Sequence, residues 1–285
     1  MENKNKKLLT LLVIFFVLVI SFFLYARLVA TSGLFVKEYK ITNEKILDDF
    51  HGFKIVHISD LHYGTSVGIN EIEDIVNKIN YISPDIVLFT GDLIDRTIDL
   101  SSNEKNTIIS AFQKIEPNLG NYAITGKHDV ENDNYYEILK KSNFTLLDDE
   151  IETIYKNNTT PILLTGLSST NKSNDLESKM SATNEFLKED ENEYYHILMI
   201  HEPDLVNELD LNKFDLVLAG HSLNGQVRLP IIGPIILPEG AKTYFENKYI
   251  VNNTELYISS GVGTTRMQLR LFNRPSINFY RLTNK

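Results

Sequence analysis

The sequence predicts an α/β fold of two packed sheets with helices outside them, behind one amino-terminal transmembrane helix. Three observations predict it. Residues 53–90 read as strand, helix, strand. The second half of the chain is rich in short apolar runs bounded by turn residues. Residues 8–25 carry no charge. A β-α-β unit implies a parallel pair joined by a right-handed crossover, with helices covering the sheet.

The membrane segment comes first. Residues 8–25 are apolar apart from Thr10 and Ser21, and ~18–20 residues rising 1.5 Å each span a hydrocarbon core. Lys4, Lys6 and Lys7 precede the segment and only Arg27 follows closely. The positive-inside rule then leaves the amino terminus in the cytoplasm and the body outside, in a single-pass protein. A cleaved signal peptide is the rival reading. Its apolar core is shorter, ~7–15 residues, and ends in a small-x-small site; Ala26 and Ala30 are four apart and make none. The expected organisation is a cytoplasmic stub and anchor over 1–30, a linker entering a strand over 31–50, and one large domain over 50–285.

The domain follows in order. The run 53–59 is a buried strand. Ile69, Ile72, Ile75, Val76, Ile79 and Ile82 recur at helical spacing up to Ser83-Pro84. Residues 86–90 form a second strand closed by Gly91-Asp92. A helix is expected over 107–115, a strand over 122–125, and a short helix over 135–141. Shorter strands follow over 144–147, 152–156 and 162–166, then a polar, partly helical excursion over 168–193. Strands over 197–200, 216–219, 255–260 and 277–282 complete the chain. The apolar, Pro/Gly-broken stretch 230–238 cannot be helical. It is either a membrane-side loop that admits a lipid-like substrate or a covered loop on the core.

Composition excludes some functions. Net charge is −10; the +3 carried by residues 1–27 leaves −13 on the rest. An acidic body argues against nucleic acid as a partner, which needs a basic face. With no cysteine, disulfides, thiolate metal sites and cysteine nucleophiles are ruled out.

Metal-ligand residues gather at strand ends. Five apolar runs end in Asp60 and His62, in Asp92, in His128, in His201 and in His221, so four of the seven histidines lie there. Asp60 and His62, two apart, are expected to point the same way because strand side chains alternate faces. Open α/β sheets place their chemistry at this edge. Mixed imidazole and carboxylate donors suit Mn, Fe or Zn. A shared carboxylate between two metals is the arrangement that clamps a phosphoryl group.

The order Asp60-x-His62, Gly91-Asp92-x-x-Asp95-Arg96, Gly126-x-His128-Asp129, His201, Gly220-His221 resembles the calcineurin-like metallophosphoesterase superfamily. His201-Glu202-Pro203-Asp204, Gly225-Gln226-Val227-Arg228-Leu229-Pro230 and Arg270-Leu271-Phe272-Asn273-Arg274-Pro275 resemble its membrane-associated bacterial branch, the YkuE/YaeI type. The resemblance covers about residues 50–282. It implies a four-layer α/β/β/α sandwich and a hydrolase of phosphomonoester, phosphodiester or pyrophosphate bonds. One or two divalent ions would activate a water, and the substrate would be lipid-linked or part of the cell envelope. By resemblance Asp60 and His62 hold the first metal, Asp92 bridges, and His201 and His221 hold the second. His128 protonates the leaving oxygen or holds the phosphate, oriented by Asp95.

Two positions depart from the family's pattern. Where it has an asparagine ligand stands Lys127, and where it has a second histidine stands Leu223. A protonated lysine repels a nearby dication and a leucine offers no lone pair. Three protein ligands remain at each position, as in catalytic zinc sites. Lys127 paired with Asp92 would replace part of the second metal's charge and bind phosphate, giving a one-metal or weakened hydrolase. The alternative is an inactive phosphate- or wall-binding domain on the same fold. Asn224 is a candidate substitute ligand. Arg228, Arg270 and Arg274 would bind phosphate or headgroups, or form ion pairs.

Overall fold

The computed structural model describes residues 2–157, 160–169, 176–190 and 192–285. Helix α1 (Glu2–Leu24) runs into a wider turn, Tyr25–Val29. The strands are β1 (Phe35–Thr42), β2 (Lys54–Ile58), β3 (Ile86–Phe89), β4 (Gly120–Ala123), β5 (Phe144–Leu146), β6 (Glu150–Ile154), β7 (Ile162–Gly166), β8 (His196–Met199), β9 (Leu216–Ala219), β10 (Arg228–Leu229), β11 (Gly233–Pro234), β12 (Lys248–Val251), β13 (Thr254–Ile258) and β14 (Ser276–Thr283). Helices α2 (Ile69–Ile82), α3 (Ser102–Phe112) and α4 (Asp133–Lys141) cross between the early strands, and short α5 (Leu176–Lys179) and α6 (Ser181–Glu189) follow β7.

Two six-stranded mixed sheets result, ordered β1-β14-β2-β3-β4-β5 and β12-β13-β9-β8-β7-β6, with β10 and β11 as a separate hairpin. Residue alternation builds the layers. In β2 and β3, Ile55, Ile86 and Leu88 face the core between the sheets; Val56, Ile58, Val87 and Phe89 face the helices. The central strands are apolar on both faces because both are covered. Ile72, Ile75, Val76 and Ile79 of α2 close the outer side of the first sheet. Short elements close the second, where Met180, Val206, Leu211 and Phe214 pack on Leu198 and Val217.

Several boundaries differ from the sequence reading. Helix α3 begins at Ser102 because Ser101 and Glu104 form a capping box: Ser101 Oγ accepts from Glu104 N at 3.3 Å, and the Glu104 carboxylate takes Ser101 N at 3.0 Å. The stretch expected to be a linker entering a strand holds β1 from Phe35, an edge strand parallel to β14. Strand β12 was not expected; it is a four-residue edge strand paired antiparallel to β13 through a two-residue turn. In the polar excursion, residues 170–175 and 191 lie outside the described residues. His57 and His196 are buried strand residues whose ring nitrogens meet Thr90 and Thr165, and His51 is exposed.

Candidate metal centre

The parallel strands of both sheets deliver their carboxyl ends to one edge. β2 leads to Asp60 and His62, β3 to Asp92, β4 to 126–129, β8 to His201 and β9 to His221. The loop after β2 is bonded along the loop after β3: Asp60 N donates to Gly91 O at 2.9 Å, His62 N to Asp92 O at 3.0 Å, and Tyr63 N to Leu93 O at 2.8 Å.

These loops are not extended. Asp60, His62, Asp92 and His221 have φ of 52°, 43°, 61° and 65°. Asp60 and His62 therefore converge through left-handed turns; the strand alternation expected from the sequence stops at Ile58. Each such residue stores about 1–3 kcal/mol, while each fully buried Ile, Leu or Val in the flanking cores returns about 1.5–3 kcal/mol. The cores are large enough to hold the strain. Gly126 fits the crowding: a Cβ there would lie 2.6 Å from Asp92 Oδ1.

The ligand atoms form two groups that share Asp92. In one, atoms of His62, Asp92 and His128 all lie within 4.8 Å of each other; in the other, those of Asp92, His201 and His221. Asp92 Oδ2 is 3.6 Å from His62 Nε2 and 3.2 Å from His201 Nε2. Asp60 stands beside the first group: Oδ1 is 3.9 Å from His62 Nε2, and its carboxylate accepts from His221 N at 3.0 Å and from Ser59 Oγ at 2.5 Å. Asp95 Oδ2 lies between His62 Nδ1 at 3.8 Å and His128 Nδ1 at 3.9 Å, while Oδ1 is taken by Thr97.

The donor set fits a cation. His201 donates from Nδ1 to Thr90 O at 2.6 Å, which orients the ring with Nε2 toward Asp92; a cation taking the place of the Nε2 proton would find its lone pair there. His221 Nε2 is engaged by Glu239 O at 2.8 Å, which leaves Nδ1. His201 Nε2, which faces Asp92, is buried without a hydrogen-bond partner and costs about 1–3 kcal/mol unless a ligand satisfies it; His62 Nδ1 and His128 Nδ1, on the Asp95 side, are also unpartnered. Burial lowers His62 and His221 to about 4 and raises Asp60 to about 6. Burial also works to raise Asp92, but the facing His201 charge holds it well below the usual range. His201 is in turn raised well above its ordinary value: burial opposes this, and the Asp92 carboxylate outweighs burial.

Other expected residues divide. Lys127 and Leu223 both line the same cavity as His62, Asp92 and His221. Among the described residues no ion pair joins Lys127 to Asp92; burial works to raise Glu202, and His201, His221, the Ser169 hydroxyl and, least, the Lys127 charge outweigh it and hold Glu202 below its usual range. Asn224 is no ligand: its amide meets Asn247 Oδ1, and its Oδ1 meets Arg228. Arg270 is buried and donates to the carbonyls of Ser260, Gly261 and Gly263; Arg228 pairs with Glu246; Arg274 covers the Phe35 ring.

Asp129 carries a role the sequence reading gave no weight. Its carboxylate accepts from Asp92 N at 2.6 Å, Leu93 N at 3.0 Å and Gly126 N at 3.0 Å, tying the β3 and β4 loops together. Burial, then the Asp92 charge, pushes it up to about 7.

The groups sit against a cavity of about 510 Å³, whose far wall is apolar: Val227, Ile235, Ile236, Pro238 and Met267. Comparison with known proteins gives the family. The calcineurin-like phosphoesterase family model matches residues 53–225. The uncharacterized metallophosphoesterase YkuE of Bacillus subtilis is 29% identical over 90% of this chain and 88% of its own length. Phosphodiesterase YaeI of Escherichia coli is 26% identical over 82% and 84%. A zebrafish (Danio rerio) transmembrane protein with a metallophosphoesterase domain is 26% identical over 85% of this chain, which spans 56% of it. Ligand-bearing loops at one sheet edge, the shared Asp92 and a family match across most of that framework lead to one conclusion: the chain belongs to the calcineurin-like phosphoesterase family and is a hydrolase.

Proposed function

We propose a membrane-anchored, metal-dependent phosphoesterase that cleaves a phosphomonoester, phosphodiester or pyrophosphate bond of a lipid-linked or envelope substrate outside the cytoplasm. The observation that carries this is the pair of three-residue ligand groups sharing Asp92 beside the cavity. Residues 4–29 are long and apolar enough to cross a membrane, which supports the anchor; the lysines before the span support the orientation.

Asp60, His62 and Asp92 would hold one divalent ion, Mn, Fe or Zn, and Asp92, His201 and His221 a second. Ions bound there would activate a water for attack on phosphorus and offset the charge growing on the phosphoryl oxygens. Asp95 Oδ2, 3.9 Å from His128 Nδ1, would orient His128 by closing that gap, which would leave His128 Nε2 to give a proton to the leaving oxygen. Lys127 lines the cavity as a cation that would hold a phosphoryl oxygen.

A second assignment of the first position has an observation behind it. His128 joins His62 and Asp92 in the tight group, whereas the Asp60 carboxylate is engaged by Ser59 and the His221 N–H. His128 would then be a ligand where the chain has Leu223.

Full-length protein assayed on bis(p-nitrophenyl) phosphate with manganese tests the reading. Turnover should vanish with chelator and return with metal, and mass spectrometry should count one or two equivalents. No turnover and no bound metal under excess would leave only the phosphate- or wall-binding domain. His128→Ala should lower turnover by about 10²–10⁴. Retained metal would mark His128 as the proton donor, and loss of one equivalent would mark it as a ligand.

Lys127→Asn combined with Leu223→His should tighten metal binding by about tenfold or more. Leu223 is buried at φ 47°, a conformation histidine adopts more readily than leucine, so the exchange should be tolerated. Isothermal titration with manganese measures it, and unchanged affinity would remove the assignment of those two positions.

A further inference from the structure

The hairpin of β10 and β11 carries a cluster of strongly exposed apolar residues. Ile231 is fully exposed, Ile232 is 74% exposed, and Phe272 beside them is 67% exposed. Exposed apolar surface of this kind marks a contact.

The hairpin rises from the segment that holds the foot of the anchor. Arg228 N donates to Leu271 O at 3.0 Å, and Leu271 N to Gln226 O at 3.2 Å. One residue earlier, Arg270 N donates to Ala26 O at 3.0 Å, and Arg27 Nη2 donates to Gln268 Oε1 at 2.9 Å. Ala26 and Ala30 are buried against the body. The end of the apolar helix, the segment 266–272 and the hairpin are thus bonded in sequence.

Charge on these strips opposes that of the chain. Segments 26–37, 221–238 and 260–275 hold six Lys or Arg and no Asp or Glu, in a chain of net −10; of the six, Arg27, Arg266 and Arg274 are exposed, whereas Arg270 is buried and Arg228 is paired with Glu246. Apolar side chains flanked by arginines are what a bilayer with anionic headgroups binds. The cavity opens at the same place: Met267, Ile235 and Ile236 form its wall and are each more than half exposed.

We propose that Ile231, Ile232 and Phe272, with the arginines around them, form a second membrane contact. It inserts beside the anchor into the same leaflet and holds the cavity mouth at headgroup level, so that the phosphate ester is drawn from the lipid. The contact rests on the anchor assignment above, and its consequence for substrate rests on the phosphoesterase reading.

The chain has no cysteine, so single cysteines report without background. Ile232→Cys, Tyr81→Cys and Val17→Cys would each carry a polarity-sensitive fluorophore in the full chain, reconstituted in phosphatidylcholine/phosphatidylglycerol vesicles. The Ile232 label is expected to be quenched by a lipid-borne quencher and shielded from iodide. The Tyr81 label, on a residue 91% exposed on α2, should behave oppositely. An Ile232 label open to iodide and untouched by the lipid quencher overturns the contact. The Val17 label reports separately on the anchor, so the two failures are distinguishable. Ile231→Ser with Ile232→Ser should lower turnover of a vesicle-embedded phosphate ester by roughly tenfold or more and leave soluble bis(p-nitrophenyl) phosphate turnover unchanged. An equal loss on both substrates would overturn the substrate consequence.

Discussion

Asp92→Asn is expected to lower kcat/KM on bis(p-nitrophenyl) phosphate by about 10³ or more, equivalent to about 4 kcal/mol, even with manganese in excess. Asp92 is the one residue in both ligand groups. Its Oδ2 faces His62 and His201, while Oδ1 accepts from His128 N at 2.6 Å. An asparagine oxygen keeps the bond to His128 N, so the β4 loop should hold its place. The lost charge cannot be replaced, because two cations on one neutral oxygen repel without offset. His201 also loses the carboxylate that raises it. Metal content should fall together with turnover while the melting temperature stays near that of the native chain. A variant with more than a tenth of native turnover would show that Asp92 does not bridge and would sink the shared-ligand arrangement.

The long apolar amino-terminal helix and the strand ends were legible because their signals are local. An uncharged run of membrane length needs no tertiary context, and neither do the apolar strands that stop at Asp92, His201 and His221. The reason Asp60 and His62 converge was not legible. Alternation along a strand is a period-two rule, and it fails once φ turns positive; the ladder to Gly91, Asp92 and Leu93 replaces it. The capping box at Ser101 was readable as S-x-x-E, but the apolar periodicity begins later and drew the boundary inward. Lys127 was expected to pair with Asp92 on charge alone. No such pair is present among the described residues, although both line the cavity; side-chain reach from a loop is set by backbone conformation that no spacing rule encodes. The strand expected within 31–50 was left without bounds because an edge strand with Lys37, Glu38 and Lys40 blends into linker; charged residues are how exposed edges are blunted. Asp129 was visible inside the motif, but its three backbone donors come from residues 3 to 37 positions away.

That last case gives the largest stability effect expected of one side chain here. Asp129→Ala would leave the N–H groups of Asp92, Leu93 and Gly126 buried and unpaired. An unsatisfied buried donor costs about 1–3 kcal/mol; with partial relaxation of the three, the expected loss is about 4 kcal/mol. For a domain of this size that lowers the melting temperature by about 10 °C. Asp129→Asn should cost less. Oδ2 accepts two of the bonds and Oδ1 the third, so an amide nitrogen turned toward Leu93 loses one bond and keeps two. The order native, Asn, Ala in thermal unfolding is therefore the expected outcome, with turnover falling in the same order because the Asp92 and His128 loops loosen together. If Asn and Ala unfold at the same temperature as the native chain, the three hydrogen bonds do not hold the loops, and the rigid placement of Asp92 needs another source.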